Sequence, residues 1–252
     1  MPAWLRRASS QRLLALACAA GFVDAASYLG LGNVFTANMT GNTVLLGVEL
    51  ARGHGSAALR SAVALAGFCL GVAIGAALIL RSRPWPRLAL PALAFEVAAI
   101  AALLVLWAVV GVAPIRYPLI VISACAMGAQ SSAVRFSDVR GVNTTYMTST
   151  LMSAVVRPVL RLRGMDDGSR EGPSLPGAAW VIYGAGAVGG AFATRAWHVA
   201  AVAIPLAIVL AVLASTLEPE IGEIEEEIEE VLGRDDGDDE QAGAAGLGHS
   251  GA

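Results

Sequence analysis

Two short segments of this chain combine hydroxyl and amide side chains in a way that can hold a small polar or anionic solute. The first is Thr36-Ala37-Asn38-Met39-Thr40-Gly41-Asn42-Thr43, and the second is Thr144-Thr145-Tyr146-Met147-Thr148-Ser149-Thr150. Asn38, Thr40, Asn42 and Thr43, with Thr144, Thr145, Thr148 and Thr150 in the second copy, supply donors and acceptors without charge. Each segment follows a second shared element, Gly21-Phe22-Val23-Asp24 in the first half and Gly128-Ala129-Gln130-Ser131 in the second. The same residue types also suit plain interhelical hydrogen bonding, worth about 0.6 kcal/mol per bond. Duplication favours a shared function, although a repeated fold duplicates its packing residues too.

Asp24 is the first candidate for ion chemistry. It lies about twelve residues into an apolar stretch, near mid-bilayer if that stretch crosses a membrane. An ionised carboxylate there costs at least roughly 2.5 kcal/mol, so the group must be protonated, paired or facing water. A substrate-binding or proton-coupling role follows, with a packing hydrogen bond to a nearby hydroxyl as the plain alternative. Glu96, some 12 Å into its own apolar stretch at helical rise, is the secondary candidate. Glu49 sits close to the end of its segment, where its carboxyl can snorkel to the surface. The second half offers no acid matching Asp24; Gln130 or Ser131 stands there. One ionisable and one neutral member are compatible with one proton site per chain.

Other chemistries find no support. His54, His198 and His249 are never spaced as metal ligands, and no nucleophile elbow, Walker loop or HExxH motif occurs. Gly184-Ala-Gly186-Ala-Val-Gly189 matches a dinucleotide fingerprint but lies in an apolar stretch without βαβ context. Gly67-xxx-Gly71-xxx-Gly75 places three glycines on one helix face for close helix approach. The expectation is a protein that is not an enzyme and has no metal, cofactor or nucleic-acid partner.

These residues must be positioned by membrane helices. Apolar residues make up 56% of the 252, charged residues 15%, and mean hydropathy is +0.64, which excludes an ordinary soluble domain. Apolar stretches of about spanning length run at roughly 13–31, 59–80, 88–110, 117–134, 178–194 and 196–216. Two shorter ones, about 37–51 and 144–160, carry the repeated motif. With all eight segments crossing, eleven arginines fall inside and six outside; with the motif segments returning on their own side, the count is thirteen against four. The positive-inside rule favours six spans and two re-entrant segments. Three spans per half then give inverted repeats, whose broken segments meet near the midplane. Two amphipathic segments lying at the interface are the alternative.

Charge divides the chain again. Residues 217–252 hold thirteen acids and one arginine, whereas the rest carries sixteen arginines against seven acids. The predicted organisation is a transmembrane domain over 1–216, with repeats at about 12–110 and 117–216, and an acidic cytoplasmic tail over 217–252. In the tail, Ile221, Ile224, Ile228 and Val231 form a narrow apolar stripe on a glutamate-rich helix, before a Gly- and Asp-rich end expected to be disordered. Arg6, Arg7 and Arg12 before the first apolar run mimic a signal peptide, but cleavage would destroy the first span, so an uncleaved helix is expected. Cys18, Cys69 and Cys125 all lie within spans and imply no disulfide framework.

Gly21-Phe-Val-Asp24-Ala followed by Phe35-x-x-Asn38-Met39-Thr40-Gly41-Asn42-Thr43 resembles the signature of the YoaK family, bacterial multipass proteins with a domain of unknown function. Met127-Gly128-Ala129-Gln130 with Thr144-Thr145-Tyr146-Met147-Thr148 resembles that family's second shared stretch. Ser149-Thr150 departs from it, standing where a glycine is expected after the threonine. The resemblance covers roughly residues 10–216 and implies an inner-membrane protein without an assigned activity.

The sequence thus predicts an all-α polytopic bundle of two inverted repeats in the bacterial inner membrane, with both termini cytoplasmic. Its expected role is transport or conduction of a small polar solute, proton-coupled through Asp24. The alternative is a non-transporting scaffold acting through the acidic tail. The bilayer is the expected partner, and homo-oligomer formation is left open.

Overall fold

The computed structural model describes residues 3–81, 89–136, 147–164 and 175–217, with side chains from Ser10 onward. Thr144, Thr145 and the acidic tail beyond Leu217 lie outside the described residues. The described residues are helical, in the order α1 (Ala3–Gly30), α2 (Met39–Ala51), α3 (Gly55–Arg81), α4 (Leu90–Val110), α5 (Val112–Arg135), α6 (Met147–Leu162) and α7 (Leu175–Trp197). A 3₁₀ turn, His198–Val202, and a last helix, α8 (203–217), follow. One compact unit, Met1–Leu213, contains all the side chains discussed below; a second begins at Ala214.

Five helical stretches are long and apolar enough to cross a membrane: Ser10–Gly30, Gly55–Arg81, Leu90–Val110, Val112–Arg135 and Leu175–Leu217. The last has 43 residues, where about 20 cross the bilayer once. It is interrupted at the 3₁₀ turn, where His198 takes a left-handed φ of 52°. The two separate apolar runs expected at 178–194 and 196–216 therefore form one helical stretch with a break inside it. By contrast, α2 (13 residues) and α6 (16 residues) are only about 20 and 24 Å long at helical rise, short of the roughly 30 Å hydrocarbon core.

Local chemistry explains the breaks. Pro91 opens α4 at a position where its missing N–H costs nothing. Gly111, at φ 80°, separates α4 from α5. α5 bends at Ile115 (φ −126°, ψ 27°), three residues before Pro118, whose ring cannot fit under an unbroken turn.

Small residues set which helices pair. A Cβ on Gly21 would strike the Tyr183 carbonyl, one on Gly186 the Cys18 carbonyl, and one on Gly190 the Phe22 backbone. Those contacts run in the same chain direction, so α1 and α7 are parallel. Gly71 meets Cys125, Gly75 meets Ala129 and Gly128 meets Phe68, which makes α3 and α5 parallel as well. α1 and α5 run in opposite directions: Gln130 reaches the Leu16 carbonyl, and Ser27 and Ser123 share Thr36. The Arg60 guanidinium donates to the Gly32 carbonyl at 2.8 Å, so α3 starts where α1 ends. Away from these seams, large apolar side chains such as Leu70, Val109, Trp180, Val188 and Phe192 are exposed, as a lipid-facing surface requires.

Candidate functional site

The site is built by a chain reversal. After α1 ends at Gly30, Gly32 (φ 102°) and Asn33 (φ 61°) adopt left-handed conformations and turn residues 34–38 back along α1. Tyr28 and Phe35 stack across this return, with ring centroids 5.1 Å apart. The backbone N–H groups of Thr36, Ala37 and Asn38 then converge on Asp24 Oδ1 at 2.9, 2.7 and 3.3 Å. Tyr183 of α7 donates its hydroxyl to Asp24 Oδ2 at 2.6 Å. Asp24 itself is 2% exposed.

Three consecutive amides aimed at one oxygen form an anion-binding nest, and α2 begins immediately after it. The positive end of the α2 dipole therefore points at the same carboxylate. This is an environment for a charged acceptor with every donor matched, the condition under which burying a carboxylate is tolerated. The Asp24 carboxyl thus joins α1, the return segment, the start of α2 and α7.

Asn38 and Asn42 maintain the reversal. Asn38 caps α2, its Oδ1 accepting from the Gly41 N–H at 3.0 Å. Asn42, fully buried, accepts from the Phe35 N–H at 3.0 Å and donates to the Phe35 carbonyl at 2.6 Å. One side-chain amide thereby satisfies both polar groups of a residue that has left the helix, as backbone withdrawn from water demands. The far end of α2 is exposed: Glu49 accepts from Arg52 at 3.3 Å and pairs with His54 at 2.7 Å. The His54 hydrogen bond, with the charges of His54 and Arg52, holds the Glu49 carboxyl below its ordinary range.

The other predicted residues are spread differently. Thr40 and Thr43 are on the exposed side of α2, and the Thr43 hydroxyl is turned back to the Met39 carbonyl. Thr148 is exposed on α6, while Thr150 is fully buried. Gln130 is fully buried and donates to Leu16, two helical turns from Asp24. Glu96 belongs to α4 and makes no hydrogen bond to the Asp24 network. Among the described residues no group of histidines, cysteines and acids could hold a metal ion.

Three participants, Tyr183, Ser27 and Ser123, were missed, and Thr36 was named only as the start of the first motif. Tyr183 could have been found, since a tyrosine inside an apolar span needs a partner for its hydroxyl. Ser27 and Ser123 could not: Thr36 Oγ1 links Ser27 at 3.0 Å and Ser123 at 2.9 Å, and only the folded-back segment brings the three together.

Residues 12–215 match a family described as a protein of unknown function (DUF1275). Over 144 residues the chain is 37% identical to the UPF0700 transmembrane protein YoaK of Bacillus subtilis (strain 168), a match covering 56% of this chain and 64% of that protein. The chain thus spans just under two thirds of that relative's length. No solved structure matches it. With a match that takes in every helix from the middle of α1 to α8, the chain belongs to the DUF1275 family of YoaK-like multipass membrane proteins.

Proposed function

We propose that this protein carries or conducts a small polar solute across the bacterial inner membrane, through a bundle of two inverted repeats each containing one re-entrant half-helix. The observation that carries the reading is the return of residues 34–38 to Asp24, which puts polar backbone and a helix N-terminus beside the last third of α1, inside its apolar span. In membrane proteins such backbone is tolerated only where protein buries it or a wet cavity is lined by it. The repeat reading is supported by paired contacts. Cys18 meets Gly186 as Cys125 meets Gly71, Gly21 meets Tyr183 as Gly128 meets Phe68, and Phe22 meets Gly190 as Ala129 meets Gly75. The opposite directions of α1 and α5, the first helix of each half, support inversion. α2 and α6 both open at the motif methionine, Met39 and Met147.

Within this reading Asp24 anchors the first half-helix. Its four donors leave it little freedom to exchange a proton during transport, so its service is to hold the reversal in place. At the matching position the pair is neutral, with Ser131 of the second repeat standing for Asp24 and Phe68 of the first standing for Tyr183. The exposed Thr40 and Thr148 carry hydroxyls that can meet a solute.

Purified protein in liposomes tests this. Release of entrapped small neutral polyols, inorganic anions and zwitterions should exceed that of protein-free vesicles for at least one class, and Asn42→Ala should reduce it. Leak equal to that of protein-free vesicles for all three classes would defeat the proposal. A passive pore should show no dependence on an imposed proton gradient, whereas a coupled carrier should.

A further inference from the structure

Among the described residues, one buried acid lies outside the Asp24 network. Glu96 is fully buried on α4, within that helix's inward stripe of Ala92, Leu93, Ile100 and Leu103. Among the described residues, neither Oε1 nor Oε2 has a hydrogen-bond partner. α4 packs against α5, α3 and the 3₁₀ turn. Their titratable and charged side chains are Arg116, Tyr117, Cys125 and Arg135 on α5, Arg60, Cys69 and Arg81 on α3, and His198 on the turn. None of these bonds to the Glu96 carboxyl.

The contrast with Asp24 is chemical. Asp24 is given four donors, as an ionised carboxylate requires; Glu96 is given none among apolar neighbours. An ionised carboxylate in that place would have lost its hydration with nothing in exchange, and such a group neutralises by holding its proton. Ionisable residues inside membrane bundles mark ion and proton pathways by default.

We propose that Glu96 is carried as a protonated carboxylic acid in this conformation and is the group through which the protein takes up and releases a proton. When water reaches the α4 seam, the Oε–H bond breaks and the proton passes to water, leaving the carboxylate hydrated. Return to the closed packing requires the proton to come back. This deepens the carrier reading by naming its coupling ion, and it rests on that reading only for the use made of the proton.

Infrared difference spectroscopy of the full chain in lipid tests it directly. At neutral pH the wild-type protein should show the carbonyl band of a protonated carboxylic acid. The band should shift in deuterated buffer, disappear on alkaline titration, be absent from Glu96→Gln and persist in Asp24→Asn. A lipid-soluble carbodiimide should modify wild-type protein at Glu96, located by peptide mass mapping, which keeps the test available if Glu96→Gln does not fold. Absence of the band at neutral pH, its survival in Glu96→Gln, or a band that neither exchanges nor titrates would overturn the inference. The carrier reading fails separately: a protein with the band but without solute flux keeps the proton site and loses the transport role.

Discussion

At the residue scale, Asp24 can be judged by what surrounds it. A carboxylate holding three backbone amides and one hydroxyl organises the fold, and its removal orphans all four donors. Asp24→Ala should therefore destabilise the protein by roughly 3 kcal/mol or more, since each buried donor left unmatched costs about 1–3 kcal/mol. Asp24→Asn keeps an acceptor for the amides and can turn its NH₂ to the tyrosine oxygen, so it should cost clearly less. Thermal or denaturant unfolding in detergent would read the order, and an equal loss in both variants would contradict it. Tyr183→Phe, which copies Phe68 at the matching position of the first half, should cost about 1–2 kcal/mol by leaving Oδ2 unpaired. The sequence pointed to Asp24 because a mid-span acid demands a partner, and to Asn38 and Asn42 because they sit at a break. It could not supply the partners, since amides at 36–38 reach an acid twelve or more residues earlier only after the chain reverses.

At the element scale, glycine placement decides which helices meet. Gly186 packs on the Cys18 carbonyl, while Gly184 and Gly189 of the same apparent fingerprint face open space. Gly186→Leu should break the α1–α7 pairing and cost several kcal/mol through overpacking, or abolish folded expression. Gly184→Ala should change stability by no more than about 0.5 kcal/mol, because nothing stands where its Cβ would go. Size-exclusion profile and melting temperature separate the two; equal tolerance would mean that the α1–α7 seam is not as described. The Gly67/Gly71/Gly75 stripe was readable from spacing alone, and α3 uses it against α5 as expected. The partner helix was not readable, because periodicity identifies a face and says nothing of what covers it. The lengths of α2 and α6 were largely legible, as was their polarity. Thr40 and Thr43 were taken with Asn38 and Asn42 as one set, but Asn38 caps the helix, and the helical turn sends Asn42 inward and the threonines outward.

At the scale of the whole molecule, the membrane class was legible from composition, since no soluble surface can be made from so few charges. The break at 198–202 was not, because an apolar run reads the same whether one helix or two occupy it. In the proposed arrangement α2 and α6 each enter and leave on one face, from opposite faces of the bilayer. This arrangement is tested most directly by sidedness in intact cells and inverted vesicles, with single cysteines placed in a background where Cys18, Cys69 and Cys125 are alanine. An impermeant thiol reagent should label positions 54 and 198 from one face, and positions 136 and 164 only from the other. Labelling of 54 and 198 from opposite faces, with 136 and 164 likewise divided, would mean that both motif helices cross the membrane, and the inverted-repeat account would be wrong.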